Sequence, residues 1–107
     1  MLRHILSSHQ FDRDFLNHIF ERARIMENVV KVRGSEIAKH RIMATLFYEP
    51  STRTRLSFET AMLRLGGEII SETGVEFSSI TKGERLEDTA RIIGGYADII
   101  AIRSSKQ

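Results

Sequence analysis

The sequence predicts an α/β domain: a parallel sheet flanked by helices. Three observations predict it. Ile42-Met43-Ala44-Thr45-Leu46-Phe47-Tyr48 is a continuous apolar run rather than an alternating one, as suits a parallel strand buried on both faces. Apolar residues at helical spacing precede and follow that run. Two more short apolar runs, at 68–71 and 98–103, each come after a helical segment, the order that parallel strands joined by crossovers require.

The elements follow in order. Over residues 11–32, Phe15, Ile19, Met26 and Val30 fall at helical spacing, with Leu16, Phe20 and Ala23 beside them, and Gly34 is placed to end the helix. Glu49-Pro50-Ser51 breaks the first strand and offers Ser51 as the cap of a second helix over 52–65. Phe58, Ala61, Met62 and Leu65 are expected on its inward face, and Gly66-Gly67 closes it. Residues 73–83 are polar and read as a loop. A third helix is expected over 84–96, with Leu86, Ala90 and Ile93 inward and a Glu87–Arg91 pair one turn apart. The third strand ends at Arg103, and nothing after it supplies a further crossover or covers the strand edge, so residues 1–107 are expected to form one incomplete domain.

Composition excludes several classes of function. The 107 residues are 41% hydrophobic and 28% charged, an ordinary globular mixture. Sixteen Lys+Arg against fourteen Asp+Glu give a net charge of +2, dispersed along the chain, so no nucleic-acid or anionic-lipid partner is expected. With no cysteine, there is no disulfide scaffold, thiolate catalysis or Cys-ligated metal. His4, His9, His18 and His40 share no ligand spacing, so no metal or other cofactor is expected. No apolar run approaches the roughly 18 residues of a membrane span, and polar residues arrive too soon after Met1 for a secretory signal. A soluble, cytoplasmic domain is the expectation.

One constellation carries chemistry. Ser51-Thr52-Arg53-Thr54-Arg55 lies where a buried strand hands over to a helix. Ligands of open parallel sheets gather at the carboxyl ends of the strands, and a helix N-terminus there offers unpaired N–H groups and a partial positive charge. Two arginines in that first turn oppose the dipole, at a cost of about 0.3–1 kcal/mol each. A phosphate over the turn reverses the balance, because hydrogen bonds to a charged group contribute about 1.5–3 kcal/mol each. The plainer alternative is a Ser/Thr cap followed by solvated arginines; five such residues in a row at a strand–helix junction favour the anion site. Arg103, at the end of its strand, opens on the same edge. The loop Ser78-Ser79-Ile80-Thr81-Lys82-Gly83-Glu84 is, by composition, a surface loop. Phe47, Tyr48, Phe58 and Phe77 read as core residues.

The segment Phe47-Tyr48-Glu49-Pro50-Ser51-Thr52-Arg53-Thr54-Arg55-Leu56-Ser57-Phe58-Glu59 resembles the carbamoyl-phosphate signature of the aspartate and ornithine carbamoyltransferases. Lys82-Gly83-Glu84 with Leu86-Glu87-Asp88-Thr89 is similar to a second motif of the aspartate enzymes, and Tyr96-Ala97-Asp98 leading to Ile102-Arg103 to their strand that ends in a substrate arginine. The likeness runs through nearly the whole chain and covers about the first third of a family member.

The resemblance implies roles. Ser51, Thr52, Arg53 and Thr54 hold the phosphate, Thr54 also lies near the carbamoyl oxygen, and Arg103 bridges phosphate and carbonyl. Ser78 and Lys82 reach into the site of a neighbouring subunit of a catalytic homotrimer, with or without regulatory subunits, and Glu84 pairs with an arginine such as Arg53. Arg53, Thr54, Arg103 and Lys82 are thus the expected catalytic set. The substrates implied are carbamoyl phosphate and L-aspartate, in pyrimidine synthesis. Aspartate is favoured over ornithine because Lys82 suits a dianionic acceptor and Phe58-Glu59 fits that branch. Chain 1–107 is expected to be the N-terminal carbamoyl-phosphate-binding part, stopping before the His-Pro-x-x-Gln motif and the amino-acid-binding domain, and to be inactive alone. An inactive phosphate-binding or assembly module, and an ornithine enzyme, are the competing readings.

Overall fold

The structure is a computed structural model that describes residues 4–73 and 86–104. The chain divides after Arg33 into two compact units. In the first, Ser7 caps a single 3-10 turn, Ser8–Gln10, and Asp12 caps helix α1, Arg13–Lys31, its Oδ1 accepting from the Phe15 N–H at 2.7 Å. Phe15, Leu16, Ile19, Met26 and Val29 are half-buried along one stripe. Val30, expected inward, is 54% exposed, and Val29 takes its place on the stripe. The left-handed residue that ends the helix is Arg33 (φ 69°) rather than Gly34. Gly34 instead serves the second unit, where a Cβ on it would lie 3.0 Å from the Arg64 carbonyl oxygen.

The second unit contains β1 (Ile42–Phe47), α2 (Thr52–Arg64), β2 (Glu68–Thr73), α3 (Leu86–Gly94) and β3 (Ile99–Arg103). All three strands are parallel, in the order β2-β1-β3. The expected fold class is therefore present. β1 is central, and every residue from Met43 to Tyr48 is buried, Ala44 and Thr45 completely. That accounts for its unbroken apolar run, because it is the only one of the three strands with a neighbour on each side. Ile99 and Ile102 of β3 are 55% and 41% exposed.

From β1 the chain crosses to β2 on one side and then returns past β1 to β3 on the other. Right-handed crossovers then set α2 and α3 on opposite faces of the sheet, and the switch point lies between β1 and β3. Register fixes what meets there. Phe47 is level with Thr73 and Arg103, and Thr45 is level with Ser71 and Ala101.

The amino end of β1 is tied shut. Asp98 Oδ2 accepts the Ile42 N–H at 2.8 Å, the Asp98 N–H donates to the Ile42 carbonyl at 2.8 Å, and Arg41 Nη1 lies 3.4 Å from Asp98 Oδ1. In α3, Thr89 is buried and Ala90 and Ile93 are half-buried, as an inward face predicts. Arg91 pairs with Asp88 at 3.9 Å rather than with the expected Glu87.

The inward face of α2 differs most from expectation. Met62 is buried and Leu65 half-buried, but Phe58 is 47% exposed and Ala61 is exposed too. Arg55 and Glu59 take their place. One helical turn separates each of Arg55, Glu59 and Met62 from the next, so they form one stripe, and its first two members are an ion pair. The sheet makes this tenable, because β1 and β2 present hydroxyls, Thr45 and Ser71, opposite Glu59. Phe77 lies outside the described residues.

Candidate functional site

A pocket of about 250 Å³ opens at the carboxyl end of β1. Its walls are the strand end and following turn (Phe47, Tyr48, Glu49, Pro50), the start of α2 (Ser51, Thr52, Arg55) and Thr73 at the end of β2. Pro50 leaves β1 without a donor at the turn, and α2 starts immediately afterwards.

Ser51 occupies the N-cap position, with its backbone carbonyl accepting the first helical bond from Arg55 N–H at 2.9 Å. Its hydroxyl makes no cap hydrogen bond, contrary to the expected role. Its φ of −163° and ψ of 53° lie off the usual extended cap conformation, so the N–H groups of the first turn lack their side-chain acceptor. A helix start with no acidic residue in its first turn, an idle cap hydroxyl and a pocket above it is built to receive an acceptor from outside.

The two arginines of the turn are in different states. Arg53 is exposed and makes no ion pair among the described residues. Arg55 reaches both carboxylate oxygens of Glu59 at 3.2 Å. Glu59 Oε2 also accepts from Thr45 Oγ1 at 2.7 Å and from Ser71 Oγ at 2.9 Å, and those two hydroxyls are 2.9 Å apart. Burial raises the pKa of the Glu59 carboxyl, but the hydrogen bonds from Thr45, Ser71 and Arg55, with the Arg55 charge, outweigh it and hold the group below the usual glutamate range.

Across the switch point, Arg103 Nε donates to Glu49 Oε1 at 2.7 Å, and its backbone carbonyl accepts the Tyr48 N–H at 2.9 Å. The Arg103 side chain is half exposed, so this pair is open to solvent. Among the residues expected from the sequence, Ser51 and Thr52 line the pocket, and Arg103 reaches its wall through Glu49. Thr54 is half-buried and Arg53 exposed, and neither forms the wall. Ser78, Lys82 and Glu84 lie outside the described residues. Arg55, a member of the expected anion run, lines the pocket as well; Glu49, Glu59 and Thr73 were not expected at the site. The signal for Glu59 was the lone hydroxyl of Thr45 in an apolar strand, which demands a buried partner. No three His, Cys, Asp or Glu side chains among the described residues are grouped to hold a metal.

An open parallel α/β domain with an uncapped helix start, hydroxyls and guanidinium groups around its switch point is an anion-binding domain. Residues 3–107 match the family model described as aspartate/ornithine carbamoyltransferase, carbamoyl-P binding domain. The chain belongs to that family. It is 59% identical over 101 residues to aspartate carbamoyltransferase 3, chloroplastic, of Pisum sativum, covering 92% of this chain and 26% of that one. It is 51% identical over 105 residues to the aspartate carbamoyltransferase catalytic subunit of Methanothrix thermoacetophila, covering 98% and 34%. Among solved structures, the catalytic subunit of M. jannaschii aspartate transcarbamoylase superposes with a TM-score of 0.89 at 46% identity, covering 99% of this chain and 36% of that one. Aspartate transcarbamoylase from Trypanosoma cruzi in complex with carbamoyl aspartate and phosphate gives 0.81 at 39% identity, covering 92% and 32%. The chain thus spans about a quarter to a third of the length of the relatives it matches.

Proposed function

We propose that the protein transfers the carbamoyl group of carbamoyl phosphate to the amino group of L-aspartate, giving N-carbamoyl-L-aspartate and phosphate. The domain 1–107 supplies the carbamoyl-phosphate half of the site. The observation that carries this reading is the cap position at Ser51, whose hydroxyl does not cap, with its pocket and with first-turn N–H groups that have no partner among the described residues. The names of the relatives support aspartate as the acceptor.

In this reading the phosphate sits over the first turn of α2, held by the hydroxyls of Ser51, Thr52 and Thr54, their N–H groups and Arg53. Arg103 leaves Glu49 for the ligand and bridges its phosphate and carbonyl oxygens. The aspartate nitrogen attacks the carbamoyl carbon and loses a proton. The carbonyl oxygen becomes an oxyanion facing Thr54 and Arg103, and the C–O bond to phosphate then breaks. Donors fixed in place before the reaction stabilise the charge that develops on both oxygens, and the rigid turn holds the donor substrate in reacting geometry. Ser78 and Lys82 act in the site of a neighbouring subunit of a homotrimer; the designation "catalytic subunit" of the Methanothrix thermoacetophila relative supports only that such chains work within an assembly. A cytoplasmic setting completes the proposal; no helix among the described residues is long and apolar enough to cross a membrane.

The test is carbamoylaspartate formation by the intact transferase with Arg103→Ala. Loss of an oxyanion donor lowers turnover by about 10²–10³. The melting temperature stays nearly constant, since exposed ion pairs contribute about 0–1 kcal/mol. Unchanged turnover overturns the assignment.

A further inference from the structure

The run Arg53-Thr54-Arg55 brings two guanidinium groups to one helix start, and the structure treats them oppositely. Residues two apart on an α-helix point about 200° apart, so when one faces the sheet the other faces away. Arg55 is the inward one. Its side chain is 27% exposed and bonded to both oxygens of a Glu59 carboxylate that is 14% exposed. That carboxylate is in turn fixed by hydroxyls from two strands, Thr45 of β1 and Ser71 of β2. Each hydroxyl has one proton, and both reach Glu59 Oε2, so a neutral amide in its place keeps the hydrogen bonds available but loses the charge that holds Arg55.

Arg55 also lines the pocket. Released from Glu59, its guanidinium is free to turn toward an anion there. We propose that Glu59 is a positioning residue that sorts the two arginines, binding Arg55 to the sheet so that Arg53 is the first-turn guanidinium left for the phosphate. The proposal rests on the anion-site reading given above. Its chemical logic concerns product as well as substrate. A second guanidinium on the phosphate binds the ground state and free phosphate as well as the leaving group, and adds no donor at the carbonyl oxygen, so much of its effect is tighter binding of substrate and product rather than faster turnover. Sequestering Arg55 keeps the site from becoming a phosphate trap.

Inorganic phosphate titrated calorimetrically into the full chain tests this, with thermal melting of each variant as the check on folding. Glu59→Gln is expected to bind phosphate several-fold more tightly than the unsubstituted chain. Adding Arg55→Gln to it returns the affinity to the original value, a rescue that a merely structural role for Glu59 does not produce. Unchanged or weaker binding by Glu59→Gln, or no return in the double variant, overturns the proposal. Arg55→Gln alone gives a second route if Glu59→Gln fails to fold. Its phosphate affinity stays within about twofold, and a loss of tenfold or more means that Arg55 is itself an anion ligand and contradicts the proposal. Arg53→Gln separates this from the reading beneath it. It weakens binding by about tenfold or more, and if it does not, the first-turn anion site itself falls.

Discussion

The two ends of β1 are built from similar materials and finished differently. At the amino end an arginine, an aspartate and two backbone groups satisfy one another. Asp98 takes the Ile42 N–H and pairs with Arg41, and its own N–H goes to the Ile42 carbonyl. At the carboxyl end a serine stands in the cap position without capping, Arg53 has no carboxylate partner among the described residues, and a pocket remains. Nothing in the hydrogen-bond chemistry of these groups prevented the second end from closing as the first did. The proposed function accounts for the difference: donors left without a partner among the described residues suit a ligand better than they suit stability.

Removing one group from each end should produce opposite signatures. At the open end, Ser51→Ala lowers phosphate affinity by about tenfold, the value of one hydrogen bond to a charged group. It leaves stability within about 0.5 kcal/mol, because a hydroxyl that does not cap forfeits the roughly 0.5–2 kcal/mol of a working cap. At the closed end, Asp98→Ala costs about 1 kcal/mol through the deserted Ile42 N–H, read as a fall of about 4–8 °C in melting temperature, with phosphate affinity unchanged. Calorimetry and thermal melting on the same two variants check both halves. A Ser51→Ala chain that melts well below the unsubstituted one would mean that the end is capped after all.

The smallest effect sharpens the boundary between the ends. Glu59 has its pKa held below the ordinary value, against the opposing effect of burial. The unfolded chain, with a glutamate near ~4.3, therefore binds its proton first as pH falls. Glu59 contributes stability that is present above about pH 4.3 and disappears as pH drops through the lower folded value. Urea denaturation across that window should show stability falling with acid, and Glu59→Gln should flatten the slope there. An identical slope in the variant would contradict the hydrogen-bonded, charge-paired state assigned to Glu59.

Much of this was legible in the sequence, for identifiable reasons. The unbroken apolar run at 42–48 marked a central strand, because only a strand with neighbours on both sides and helices on both faces has no need of polar alternation. Ser51, Thr52 and Arg103 were legible because strand ends and helix starts have fixed chemistry. The inner face of α2 was not. Periodicity assigns apolar residues inward, so it chose Phe58 and passed over Arg55 and Glu59. What inverted the face was the hydroxyl pair Thr45–Ser71, brought level by strand register, which sequence spacing does not reveal. For the same reason the different states of Arg53 and Arg55 became visible only with the sheet in place.

The central claim is that the open end of β1 receives a phosphate and the closed end does not. Amide chemical shifts of the ¹⁵N-labelled full chain, followed during titration with inorganic phosphate, test it most directly. The account predicts saturable shifts at the amides of Thr52, Arg53 and Thr54, with those of Ile42 and Asp98 unmoved although Arg41 is close by. Saturable shifts centred on Arg41 and Asp98, or none at the first turn of α2, would contradict it.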